Sequence, residues 1–442
     1  MKKLICVVFL AATLLLSALC GCGMVRGVDG RDGQDLSIYE IYEAANATRV
    51  EEGLEEISFL DFLREYLHYD FAYSESESVQ TIMNRSLMSA VAILTGFKYR
   101  SGFSFETEYY VGSGVIVDID RSAGDAYILT NCHVVYDDSS MHTYADEIYI
   151  FLYGADDLTV ADRNDYISAE IVGVTMTYDL ALLKVKNNKN LKNSEAVAAT
   201  FAESEEVYAG SKVYAIGNPM GSGISITTGI ISRESEVVAM NLSSAHADDE
   251  KYLHDYRVIR TDAAVNGGNS GGGLFNSNGK LVGIINSKAL SGFYEDGDDY
   301  YIDDIEGMGY ALAGSYAKRI YQLMRDGYYS KTSPSGLNRA VFPTKYSYTS
   351  SAYFDNKKNV AVITDKVVVS GAAEGLSRGD VIERIRVLNG SGQAVEDMYI
   401  TRHFNVDDLL LSAREGYKIV YTVLRGAERL NITTAPYFKR CD

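Results

Sequence analysis

The chain has 442 residues, 47% of them hydrophobic, and carries 41 Lys and Arg against 60 Asp and Glu, a formal charge of -19. That length allows about two or three domains with cores of their own, and so acidic a field argues against nucleic acid or an anionic membrane surface as a partner. Of the five cysteines, Cys6, Cys20 and Cys22 fall in the first segment and only Cys132 and Cys441 remain, too few for a disulfide framework.

Lys2 and Lys3 precede an apolar stretch from Leu4 to Leu19, the layout of an export signal. The stretch is short against the roughly 20 residues of a spanning helix. It ends Leu19-Cys20-Gly21-Cys22, which resembles a bacterial lipoprotein box with Cys22 as the lipid-bearing residue. Cys20 is the weaker alternative, because Leu19 would then hold a small-residue position; an uncleaved membrane anchor is the other reading. Residues 1–22 are therefore expected to be a lipoprotein-type signal, and the protein exported, lipid-anchored to the bacterial cell membrane and facing away from the cytoplasm.

Residues 23–35 are rich in glycine, with too few triplets for collagen, and read as a flexible spacer. Residues 36–80 read as a helical extension and linker. Ile38, Ile41, Tyr42 and Ala45 share one face and Phe59, Phe62, Leu63 and Tyr66 another, the spacing of a small helical pair. The Ser/Glu run Ser74–Ser78 is the linker.

From about Met83 to residue 327 short strand-like segments alternate with turns, as an antiparallel double barrel demands. Three places in this span carry chemistry. His133 closes the β-branched run Tyr127–Val135, and Asp179 lies in a turn leading into the apolar strand Leu180–Val185. Ser270 stands in Gly268-Asn269-Ser270-Gly271-Gly272, its hydroxyl uncrowded and its neighbouring amides free to converge. A serine hydroxyl needs a base to take its proton and N–H donors to hold the oxyanion that its attack creates. Each place alone has an ordinary explanation: a structural histidine, a turn aspartate, a glycine-flanked loop serine. Together, and in the order His, Asp, Ser, they match the chymotrypsin arrangement.

The same serine run satisfies the looser G-x-S-x-G pattern of α/β-hydrolases. That fold needs Ser, acid, His in order and a helix after the serine. Here a glycine run and an Asn278-Gly279 hairpin turn follow, and the only downstream histidine is His403, in a later domain. The α/β-hydrolase reading is rejected. Cys132, beside His133 along a strand, should point the opposite way and reads as a small buried residue, not a nucleophile.

Thr130-Asn131-Cys132-His133-Val134-Val135, Asp179-Leu180-Ala181-Leu182-Leu183, Thr261-Asp262-Ala263-Ala264 and the Ser270 run together resemble the HtrA family of trypsin-like serine proteases. Gly112-Ser113-Gly114-Val115-Ile116-Val117, Tyr214-Ala215-Ile216-Gly217-Asn218-Pro219 and Thr228-Gly229-Ile230-Ile231-Ser232 fit the same family. The resemblance implies a mainly β protein, a chymotrypsin-like double β-barrel followed by a small PDZ-like α+β domain. It implies a serine endopeptidase with His133 as base, Asp179 as its orienting partner, Ser270 as nucleophile and the N–H groups of Gly268 and Ser270 as oxyanion hole, with no cofactor and no metal. Asn269 stands where zymogen-type relatives carry an aspartate that pairs with a freed amino terminus, so activation by maturation is not expected. Ala264 would form the base of the specificity pocket, with Ile284, Ile285 and Asn286 as its wall, which predicts cleavage after small aliphatic residues. The family further implies unfolded or misfolded exported proteins as substrates and a homotrimer.

Acidic residues concentrate in 295–306 and at Asp248-Asp249-Glu250. Calcium is conceivable, but the spacing is not that of an EF-hand; solvated loops are the simpler reading. Residues 328–345, with Pro334 and Pro343, read as a linker. Residues 346–437 resemble a PDZ domain through Ala372–Ile382, a helix at Asp407–Ser412 and closing strands in Glu415–Gly426. No apolar-Gly-apolar carboxylate loop precedes Val360–Ile363, so capture of C-terminal peptides is in question while strand addition at that edge stays open. A chaperone-like peptide-binding scaffold is the alternative function.

Overall fold

The computed structural model describes residues 38–51, 53–54, 57, 62, 78–158, 166–203, 207–241, 253–290, 294–296, 299–301, 304–328 and 339–439. The signal segment with Cys22, the spacer 23–35, Phe59, Leu63, Tyr66, the acidic run at 248–250 and Cys441 lie outside the described residues. So do parts of the acidic segment 295–306. No helix among the described residues is long and apolar enough to cross a membrane.

The chain divides into two units, residues 1–78 and 79–442. In the first, Ile38–Glu51 is a helix. Tyr42 meets the ring of Phe62 edge-on at 5.6 Å. Asn46 closes a two-way bridge with the main chain of Ile57, donating to its carbonyl at 2.9 Å and accepting from its N–H at 3.0 Å.

The second unit opens with a helix, Val79–Leu87, where the sequence pattern placed the end of a linker and the first strand near Met83. Its Met83 and Leu87 are buried, so burial of an apolar stripe, not linker composition, decides this segment. The first sheet contains β1 (Ala90–Ser101), β2 (Ser104–Asp120), β3 (Asp125–Thr130), β4 (Glu147–Leu152), β5 (Ile167–Ser168), β6 (Glu170–Thr175) and β7 (Leu180–Val185). Their order is β5-β4-β1-β2-β3-β7-β6. The second contains β8 (Thr200–Phe201), β9 (Lys212–Gly217), β10 (Ser225–Asn241), β11 (Leu253–Thr261), β12 (Gly273–Asn276) and β13 (Lys280–Leu290). A small hairpin, β14 (Tyr294–Asp296) with β15 (Asp299–Tyr301), precedes its last strand, β16 (Asp304–Ala313). The order β12-β9-β10-β11-β16-β13-β8 is closed into a ring because β12 also pairs with β13.

Successive residues of a strand face opposite ways, and here both faces are apolar. Ile93, Ile116, Ile128 and Leu183 fill the interior of the first sheet, while Ala215, Leu274, Val282 and Ile285 fill that of the second. Their neighbours Ala92, Val115, Leu129 and Leu182 meet Ile216, Phe275, Leu281 and Ile284 in a core between the two. The helix Gly314–Arg325 seals that core with Ala317, Ile320, Leu323 and Met324. At about 25 cal/mol per Å2 of apolar surface removed from water, this shared core binds the barrels into one body.

After β17 (Arg339–Val341), the C-terminal domain places β18 (Tyr346–Asp355), β19 (Val360–Val369), β20 (Val381–Leu388), β21 (Ala394–Tyr399), β22 (Lys418–Arg425) and β23 (Glu428–Thr434) in one sheet. The order is β18-β19-β20-β22-β23, with β21 on β20. A helix, Phe404–Leu410, lays Val406, Leu409 and Leu410 on its core beside Ile385 and Tyr421. Strand β17 falls within the stretch read as linker, yet it pairs with β24 (Tyr437–Lys439), and Phe342 stacks edge-on against Tyr421 at 5.5 Å. Backbone pairing and one buried aromatic recruit what proline content marked as a connector. On one side β18 pairs with β19 along its whole length, while on the other β20 reaches only Val367 and Val368, so the edge expected at Val360–Ile363 is free of a ladder on the side away from β18. At the two ends of the strand order, β18 and β23 each have one neighbour. The fold is mainly β, a double barrel followed by a small α+β domain.

Candidate active site

His133 follows β3 by three residues, on the short helix Cys132–Val135 where the β-branched composition suggested a continuing strand. The turn buries Cys132 completely while the His133 side chain stays 33% exposed. Cys132 is a free thiol; burial and the nearby Asp179 charge push its pKa well up, which keeps it protonated and inert. The position beside His133 thus holds no nucleophile, though the cause is a helical turn and not strand alternation.

Asp179 occupies a turn whose N–H reaches Met176 O at 3.1 Å. Its φ of 45° is a left-handed conformation that aspartate tolerates better than most residues. The side chain is fully buried. Its Oδ1 accepts from the His133 N–H at 3.0 Å and its Oδ2 from His133 Nδ1 at 2.9 Å. Asn131 Nδ2 donates to the Asp179 carbonyl at 2.9 Å, and Asn286 Nδ2 donates to Asp179 Oδ2. Burial pulls the His133 pKa down, but the charge and hydrogen bond of Asp179 outweigh it and leave the imidazole above its ordinary 6.5. The carboxylate therefore leaves Nε2 free as the basic nitrogen of the neutral ring.

Ser270 sits in the loop between β11 and β12. Gly268 and Gly271 have φ of 93° and 86°, and a Cβ on Gly268 would lie 2.4 Å from Asn218 O and one on Gly271 2.1 Å from Ser113 O. Only glycine fits either position. Ser270 Oγ donates to the Asn286 carbonyl at 3.0 Å. Met220 N–H holds the Gly267 carbonyl at 2.9 Å, and a trans peptide then turns the Gly268 N–H the opposite way. Neither that N–H nor the one of Ser270 has an acceptor among the described residues.

The residues expected to form the specificity pocket are placed as follows. Ile284 and Ile285 are fully buried, Ile284 in the core between barrels and Ile285 inside the second, because alternation along β13 sends them to opposite apolar faces. Asn286 is 1% exposed and its amide serves Asp179. Ala264 is exposed, its carbonyl accepting from Thr227 Oγ1 at 2.8 Å. Three supporting residues escaped sequence reasoning: Ser113, Asn131 and Asn218, all fully buried. Polar residues next to glycine or to His133 were the available signal. Among the described residues no group of His, Cys, Asp and Glu is placed to hold a metal ion.

A histidine oriented by a buried carboxylate, beside a serine with two unoccupied amides at the seam of two β-barrels, defines the chymotrypsin-type serine hydrolases. Comparison with known proteins carries this further. The trypsin-like peptidase domain model matches residues 112–284, a span that contains His133, Asp179 and Ser270. The chain is 31% identical over 326 residues to the serine protease Do-like HtrA of Bacillus subtilis, covering 70% of this chain and 64% of that protein. It is 30% identical over 272 residues to the periplasmic serine endoprotease DegP of Escherichia coli, 62% of this chain and 47% of that protein. Among solved structures, the HtrA-type protease AlgW with tripeptide aligns over 82% of this chain and 97% of its own, with 25% identity and a TM-score of 0.44. Residues 112–284 thus match a trypsin-like peptidase domain, and the chain is similar to the HtrA and DegP serine proteases. It spans less than two thirds of the length of the curated relatives named here.

Proposed function

We propose that the protein is an HtrA-type serine endopeptidase acting outside the cytoplasm, tethered through a lipid on Cys22, that degrades unfolded or misfolded exported proteins. The observation that carries the reading is the chain of contacts His133–Asp179–Asn286–Ser270 facing two free amides. In this reading Ser270 leaves the Asn286 carbonyl as His133 Nε2 takes its proton, and Oγ attacks the scissile carbonyl. The Gly268 and Ser270 N–H groups receive the oxyanion. The imidazolium, steadied by Asp179, then protonates the leaving amine, and water repeats the cycle on the acyl-enzyme. Exposed Ala264 offers no carboxylate to a basic side chain, which supports cleavage after small aliphatic residues such as Val or Ala. A digest of a peptide library dominated by Lys and Arg cleavage would overturn that preference.

The deciding experiment is digestion of casein by the wild type and by Ser270→Ala. Digestion by the first and none by the second supports the endopeptidase. A wild type that binds unfolded protein without cleaving it supports a chaperone-like scaffold instead. Two observations favour that second reading: the Ser270 hydroxyl engages Asn286 and not His133, and β18 offers an open strand edge to an extended peptide. Assembly as a homotrimer is part of the proposal, and sedimentation of the mature chain tests it.

A further inference from the structure

We infer that Ser113 is a positioning residue for the oxyanion hole, clamping from the first barrel the loop that carries both oxyanion donors. The inference rests on the endopeptidase reading. Ser113 lies on β2 and is fully buried. Its hydroxyl donates to the Gly268 carbonyl at 2.6 Å and accepts from the Asn218 N–H at 2.7 Å, so both its donor and an acceptor site are in use. Its own N–H donates to the Ser270 carbonyl at 2.8 Å. Its carbonyl accepts from Thr130 Oγ1 at 2.7 Å, which anchors the clamp to the strand that leads to His133.

Two of these bonds grip the loop on either side of Asn269. With Gly267 O held by Met220 and Gly268 O by Ser113, the peptide planes before and after Gly268 are both tied, and a residue otherwise free to turn is held with its N–H toward the site. The flanking glycines make the approach possible. A Cβ at position 112 would fall 2.7 Å from Val134 Cγ1, and one at position 114 2.7 Å from Ile128 Cγ2. Removing the hydroxyl leaves the Gly268 carbonyl and the Asn218 N–H without their partner and the Gly268–Asn269 peptide free to rotate.

The test compares wild type, Ser113→Ala, Ser113→Cys and Ser270→Ala on a peptide substrate, with labelling of the serine by a fluorophosphonate and inhibition by a peptide boronic acid, whose adduct places an oxygen in the hole. Loss of one oxyanion donor lowers kcat by about 100- to 1,000-fold, and loss of its positioning is expected to lower kcat by about 10- to 100-fold. KM should change less than about twofold, and boronate affinity should fall in parallel with kcat. Ser113→Cys, of similar volume but weaker hydrogen bonding, should lie between. If Ser113→Ala does not fold, the cysteine variant is read by the same criteria. A kcat within about twofold of wild type, or a loss that only follows the folded fraction with boronate affinity unchanged, overturns the role of Ser113. A folded wild type that neither labels nor cleaves overturns the endopeptidase reading, and this inference with it.

Discussion

Ser270 and Asn286 are joined through the serine hydroxyl, which donates to the asparagine carbonyl at 3.0 Å, while the amide of the same asparagine donates to Asp179. One residue of β13 thus touches both the nucleophile and the acid. It parks the first and holds the second.

Asn286→Ala should therefore impair catalysis more than binding. The change keeps the carbonyl that receives Ser270 and removes the donor to a fully buried carboxylate, whose unmet hydrogen bond costs about 1–3 kcal/mol. The expected result is a fall in kcat of about tenfold or more, equivalent to at least about 1.4 kcal/mol of barrier, with KM little changed. Steady-state kinetics on a peptide substrate check it, and equal kcat in the two proteins would refute it.

The charge state of His133 predicts two pH effects of opposite sign. The base must be neutral, and its pKa lies above 6.5 because Asp179 outweighs burial. Activity should thus rise with pH through a midpoint above 6.5. Asp179→Asn should bring that midpoint down and lower kcat by roughly 10,000-fold. Stability runs the other way. A histidine whose folded pKa is raised stabilises the fold fully below its unfolded pKa, and this contribution is lost as pH rises through the folded pKa. Thermal melts of wild type and His133→Ala should differ more in favour of wild type at about pH 5 than at about pH 9.

Arg319 should matter for stability without touching chemistry. From the helix that seals the barrels it reaches Glu396 of β21 with two bonds of 2.8 and 3.0 Å, and its side chain is only 9% exposed. Such a bidentate pair is geometrically specific, and Ser412 adds a third donor to Glu396 at 2.6 Å. Arg319→Ala leaves a mostly buried carboxylate without its counter-ion, at a cost of about 3 kcal/mol or more. Urea unfolding measures this, and a loss under about 1 kcal/mol would show that the pair is not a firm tie between peptidase domain and C-terminal domain.

Much of the fold was legible because strand periodicity and turn chemistry are local. The strand Leu180–Val185 follows from its apolar run alone. The linker at 328–345 was misjudged at β17, since a strand of three residues whose partner lies almost a hundred residues later has no local signature. Exposed, polar-rich β18 does not advertise itself as a strand until β19 offers it a ladder.

By itself the sequence marked the candidate residues of the chemistry and their order: His133, Asp179 and Ser270, each in a short motif, the last flanked by glycines on a backbone path that only glycine allows. What only the tertiary structure decided is which groups hold them. Asn286, expected in the pocket wall, donates its amide to Asp179; Ser113, quoted only as part of a glycine-flanked run, binds the oxyanion loop. Motifs are written over a few neighbouring residues, where backbone constraint acts. Positioning is set by hydrogen bonds across the seam of two barrels, between Ser113 and residues more than a hundred positions away, and that distance is closed only by the packing of the shared core.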